Sequence, residues 1–211
     1  MTRFSDMIDG YRRFRTSEWP VERQRWAELA TGQSPRVMVI ACSDSRVEPA
    51  TIFDAKPGEM FVVRNVAALA PPYETTPGRH GVSAALEFAV TQLEVEEIVV
   101  MGHGLCGGCA ASLTGQFAGA EPGEGRFIAD WVSQLDDARD EILSKHGAVT
   151  PDALAEMERA AVRISLRNLR TFPFVARRET EGKLALHGCR FSIENGKLET
   201  LDEAEGSFRP V

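Results

Sequence analysis

Residues 37–41, 60–64 and 98–101 are short runs of mainly apolar, β-branched character, set apart by stretches with helical periodicity. Such runs carry little polar alternation and therefore bury both faces. Several of them joined by helices form a parallel sheet with helices packed over it. Helices are expected over 21–30, 82–93, 108–117, 127–146 and 152–170, with Thr150 as an N-cap and Pro151 and Pro173 bracketing the last. Residues 184–193 and 197–201 flank Asn195-Gly196, the dipeptide of a tight hairpin. The segment 115–125, rich in Gly, Ala and Glu, reads as a flexible surface loop. The fold class is thus α/β: a mostly parallel central sheet flanked by helices, with a C-terminal antiparallel hairpin strand. The expected organisation is one domain over 1–211, of which 1–32 is an N-terminal helical arm.

Two strings follow the first and third runs, the second after Gly102: Cys42-Ser43-Asp44-Ser45-Arg46 and His103-Gly104-Leu105-Cys106. Thiolate, imidazole and carboxylate are ligand types that zinc accepts, and four of them match its tetrahedral preference. In extended chain, residues two apart point the same way, so Cys42 and Asp44 can face one ion. His103 and Cys106, three apart where a strand yields to a turn or helix, can converge similarly. Arg46 can pair bidentately with Asp44, holding it on the metal or off it. Held off, Asp44 leaves three protein ligands and an open position, as in a catalytic site; four closed ligands describe a structural or resting one. Both strings fall at the carboxyl ends of parallel strands, where open α/β sheets place their crevices. Gly107-Gly108 allows close backbone approach and offers helix-start N–H groups to an anion.

Composition narrows the classes. The 211 residues carry a formal net charge of −7, which disfavours nucleic acid, and the cluster Arg12, Arg13, Arg15 reads as a solvated helix face or subunit contact. No segment approaches the ~20 apolar residues of a membrane span. Four cysteines do not make a secreted disulfide scaffold, and Cys42 and Cys106 serve better as reduced ligands, so a cytoplasmic setting is expected. The opening MTRFSDMIDGYRRFR lacks a secretory apolar stretch.

At these residues the chain resembles the β-class carbonic anhydrases. The family's C-x-D-x-R and H-x-x-C strings stand as Cys42, Asp44, Arg46 and His103, Cys106, and the likeness runs from Gln33 to Leu201 through PGEMFVVRNVA, AALEFAV, SLRNLRTFPFV and KLALHG in the style of the plant-like branch. The resemblance implies one zinc per subunit on Cys42, His103 and Cys106, joined by Asp44 only in a closed state, with Asp44 and Arg46 as a gating dyad. It implies reversible hydration of carbon dioxide to bicarbonate and a proton by attack of zinc-bound hydroxide. Gln33 matches a glutamine that hydrogen-bonds substrate oxygen, Phe61, Val66 and Phe88 match an apolar substrate slot, and Gly107 matches a glycine beside the product. Phe88 stands where the family often has Tyr. A second branch binds inhibitory bicarbonate with Trp and Gly where this chain has Val39 and Ala41, so the branch without that pocket is implied. A homodimer at least, up to a tetramer or larger, is also implied, with the N-terminal arm packed on the partner.

Cys109 and Cys189 are core thiols rather than ligands, Arg64 is structural, and His80, His146 and His187 are surface or capping residues rather than proton shuttles. The rival functions are carbon disulfide hydrolysis on the same ligand set and a catalytically silent zinc-stabilised protein. Arg46 and Gln33, which a purely structural site does not need, speak against the second.

Overall fold

The computed structural model describes residues 2–211, which divide into two compact units, one ending at Ser34 and the other spanning Pro35–Val211. The first holds helices α1 (Phe4–Val21) and α2 (Arg23–Leu29). The expected helix over 21–30 therefore covers only α2, and the chain breaks at Glu22, just after Pro20, which cannot donate a backbone hydrogen bond to the helix. Trp19 and Trp26 stack with ring centroids 5.4 Å apart, and Phe14 meets both edge-on, so the two helices share an aromatic cluster.

The second unit is built on a six-stranded sheet in the order β2-β1-β3-β4-β5-β6. Its strands are β1 (Val37–Cys42), β2 (Met60–Asn65), β3 (Glu97–His103), β4 (Ala185–Phe191), β5 (Leu198–Asp202) and β6 (Ser207–Pro210). The first four in spatial order are parallel; β5 and β6 are antiparallel. The fold is the α/β class expected, with a second antiparallel strand added. Strand β6 escapes sequence reading because it is four residues long and contains a proline, which is tolerated there because β6 lies at the sheet edge.

Helices α3 (Pro49–Ile52), α4 (Gly81–Thr91), α5 (Gly107–Thr114), α6 (Arg126–Val132), α7 (Asp136–His146), α8 (Pro151–Leu169) and α9 (Pro173–Thr180) complete the unit. The expected single helix over 127–146 is two helices joined by a 3₁₀ turn at Ser133–Leu135. Residues three apart eclipse in that geometry, and Val132 and Leu135 are both buried. Helix α9 is an addition: Pro173, read as the end of one helix, is the first residue of the next. Thr150 caps α8 as expected, its Oγ1 accepting from the Ala153 N–H at 3.1 Å.

Alternation along β1 divides the core. Met38 and Ile40 pack with Leu86 and Val90 of α4, whereas Val39 and Ala41 pack with Leu113 of α5 and Met157 of α8. Helix α8 serves both clusters, and glycines let it approach the sheet: a Cβ on Gly102 or on Gly188 would stand 2.7 Å from a methyl of Val162. Ala41 pairs with Met101 across β1 and β3, so the two strands end side by side, one carrying Cys42 and the other His103.

Candidate metal centre

Cys42 and His103 are the last residues of adjacent parallel strands, and Cys106 stands three residues further on as the N-cap of α5. All three are buried, and their ligand atoms lie within 4.8 Å of one another. The intervening turn needs a left-handed residue, which here is Leu105 at φ 57°. Gly104 donates its N–H to the Phe191 carbonyl at 2.8 Å, and its missing Cβ leaves room for Arg190, whose Nη2 would lie 3.1 Å away.

His103 tests whether the pocket suits a cation. Its Nδ1 lies 2.9 Å from the Gly104 carbonyl, which can only accept, so Nδ1 carries the proton and Nε2 the lone pair. That Nε2 is buried without a hydrogen-bond partner. An interior lone pair facing two thiols is poorly satisfied by protein and well satisfied by zinc. The sulfurs agree. The Cys42 thiol is pushed up to about 12 by the Cys106 sulfur beside it and by burial. Cys106 is likewise pushed up to about 12, first by its contact with Cys109 and further by burial, against a lowering contribution from Cys42. Burial draws His103 downward, but Cys42, the Gly104 carbonyl and Asp44 together outweigh it and the net shift is upward. Without a cation the centre therefore holds its protons, and a dication is the group that would replace them.

Asp44 is held beside this cluster. Arg46 Nε donates to its Oδ1 at 2.9 Å and Nη2 to its Oδ2 at 2.6 Å, while the Arg46 backbone N–H reaches Oδ1 at 3.0 Å. These bonds keep the Asp44 carboxyl well below the usual carboxylate range. Arg46 Nη2 also donates to the Leu105 carbonyl at 3.0 Å, tying the two strings together. That carbonyl anchor had no signal in the sequence, because it depends on the left-handed turn.

The remaining residues fall as follows. Phe61 on β2 and Phe88 on α4 stack with centroids 5.9 Å apart, and Val66 follows β2, where its Cγ1 crowds Gly108 of α5. Gly107 opens α5, and a Cβ there would meet no protein atom within 4 Å. Gln33 lies in the first unit beyond α2 and is exposed. Arg64 donates to the carbonyls of Cys42, Asp44 and Val47 and pairs with Glu48, a structural clamp on the first string. Cys109 and Cys189 are buried in the core. His146 pairs with Glu156, His80 meets the Thr76 carbonyl, and His187 faces Glu97.

An open, mostly parallel sheet with a buried Cys-His-Cys cluster at its strand ends places the chain among α/β proteins with a candidate metal site. A family profile described as carbonic anhydrase matches residues 37–198. A carbonic anhydrase of Pseudomonas aeruginosa is 39% identical over 203 residues, spanning 96% of this chain and 90% of that protein. One of Synechococcus elongatus is 36% identical over 194 residues, spanning 91% and 69%. Among solved structures, the β-carbonic anhydrase CcaA superposes with a TM-score of 0.91 at 30% identity over 100% of both chains. A structure from work on two tetrameric β-carbonic anhydrases of Sordaria macrospora gives 0.82 at 27% identity, covering 94% of this chain and 96% of that one. The chain belongs to the carbonic anhydrase family, in its β class.

Proposed function

We propose that this chain catalyses the reversible hydration of carbon dioxide to bicarbonate and a proton, with one zinc per subunit on Cys42, His103 and Cys106. The observation that carries the reading is the convergence of two thiols and an unpartnered imidazole nitrogen beside a carboxylate that Arg46 grips at both oxygens. When bound, zinc would supply Lewis acidity that lowers the pKa of water towards neutrality and so makes a nucleophile available. Asp44, kept ionised by Arg46, would accept a hydrogen bond from the O–H of the nucleophile and so orient it. Arg46 also restrains Asp44 from becoming a fourth ligand. The resemblance adds Phe61, Val66 and Phe88 as an apolar wall for a linear, non-polar substrate and Gln33 as a donor to a substrate oxygen, and the open space beside the Gly107 backbone is proposed to receive the product.

The same reading takes the enzyme as a homodimer at least, with the tetramers named for Sordaria macrospora as a precedent, and places it in the reducing cytoplasm, where four free thiols persist. Among the described residues no helix is long and apolar enough to cross a membrane. Val39 and Ala41 lie buried within β1 and support the branch without an inhibitory bicarbonate pocket. Stopped-flow hydration of carbon dioxide by the zinc-loaded protein tests the function. Rapid turnover is expected. Stoichiometric zinc without turnover would leave the silent reading, and turnover of carbon disulfide alone would shift the substrate.

A further inference from the structure

Glu158 is 2% exposed, yet it sits on α8 among apolar neighbours of the sheet. Its Oε1 accepts the backbone N–H of Cys106 at 3.2 Å, and its Oε2 accepts from Arg190 Nε at 2.8 Å and Nη2 at 2.6 Å. Arg190 reaches on to Glu199 at 3.4 Å, which Arg159 holds in turn. A buried ion pair contributes little net stability compared with an apolar pair of similar volume, so stability alone does not account for this one. What the carboxylate does do is satisfy the amide of Cys106, which follows the left-handed Leu105 and whose carbonyl already accepts from Ala110 in α5. Without that acceptor the Cys106 amide would be a buried, unpaired donor at the first residue of the α5 cap.

We propose that Glu158 is a positioning residue for the metal centre: its oxygen fixes the Cys106 backbone, and so the Cys106 sulfur, in the place that zinc requires, while Arg190 fixes Glu158. The sequence gives no hint of this, since Glu158 lies 52 residues from Cys106 and is one of three acidic residues on an amphipathic helix. The inference rests on the zinc reading of Cys42, His103 and Cys106.

Two double variants separate the acceptor from the ion pair. Glu158→Gln with Arg190→Met removes both charges but keeps a carbonyl oxygen for the Cys106 amide; Glu158→Leu with Arg190→Met removes the acceptor as well. Zinc dissociation constants from chelator competition, with the visible spectrum of the cobalt-loaded protein, are compared with the parent chain. The Gln variant should bind zinc within a few-fold of the parent with an unchanged cobalt spectrum, and the Leu variant should bind about 10–100-fold more weakly with an altered one. Equal zinc affinity and equal cobalt spectra in the two variants would overturn the proposal. Should the Leu variant not fold, Glu158→Asp replaces it, since it keeps a charge for Arg190 and draws the oxygen back from Cys106. Weakened zinc binding in it supports the role, and parent affinity refutes it. If the parent chain itself binds no zinc, the zinc reading fails instead.

Discussion

Asp44 Oδ2 stands 3.9 Å from the unpartnered Nε2 of His103, close to the cluster but turned towards Arg46, which holds the same oxygen at 2.6 Å. Arg46 thus turns this carboxylate away from the cluster, and on the proposed reading it decides whether Asp44 is spectator or ligand.

Removing that arginine should separate metal binding from turnover. Arg46→Ala is expected to keep stoichiometric zinc while kcat/KM for hydration falls by about 10²-fold or more, the scale of a misplaced proton acceptor. Arg46→Lys should recover little, because an ammonium cannot reproduce the paired bonds to Oδ1 and Oδ2. Full activity in the alanine variant would show that Asp44 needs no restraint.

Zinc uptake should be steeply pH-dependent. Both thiols are pushed up to about 12 in the metal-free protein, so each binding event at neutral pH must release their protons. The logarithm of the association constant should then rise by about two per pH unit, and more steeply in acid, where the upward-shifted His103 also gives up a proton. Chelator competition between pH 6 and 9 measures the slope; a pH-independent constant would mean that the thiols are not ligands. Cys42→Ala and Cys106→Ala should each abolish zinc retention.

The acid limb of stability has a separate origin. Arg170 bridges Glu179 and Glu203 and draws the Glu203 carboxyl below its ordinary 4.5. A carboxylate with a depressed folded-state pKa adds stability above pH 4.5 that is lost as the pH falls through its folded value. The pair is partly exposed and screened, so the contribution is about 1 kcal/mol or less. Thermal unfolding of Arg170→Met should show a lower Tm near neutrality and a gap from the parent that closes on acidification. A constant gap would place the stabilisation elsewhere.

Contact between α8 and the sheet depends on absent side chains. Gly102→Ala puts a Cβ 2.7 Å from Val162 Cγ2 and should cost about 1–3 kcal/mol by denaturant unfolding. Val162→Ala in the same chain should recover part of that loss, because the methyl in the way is gone. Additive losses in the double variant would show that the clash is relieved by backbone movement instead.

How far the sequence carried the fold depended on signal length. Strands β1, β2 and β3 were legible because apolar β-branched runs announce buried parallel strands, and the hairpin was legible from Asn195-Gly196, with Gly196 at φ 69°. Helix α9 and strand β6 were not, since eight polar-rich residues and four residues ending at a proline carry little periodicity. At the site, Cys42, Asp44, Arg46, His103 and Cys106 were found because local spacing carries them. Leu105's carbonyl and Glu158 were missed because their roles arise only when chain ends meet in space.

Leu105 pays for its place. A branched side chain in the left-handed region carries strain of about 1–2 kcal/mol, and glycine would relieve it. Yet that strained peptide aims a carbonyl at Arg46 and sets the reach from His103 to Cys106. Selection for folding alone would favour relief of this strain, so a heat-hardened descendant of the chain that acquires glycine here would trade rigidity beside Cys106 for robustness in the test tube.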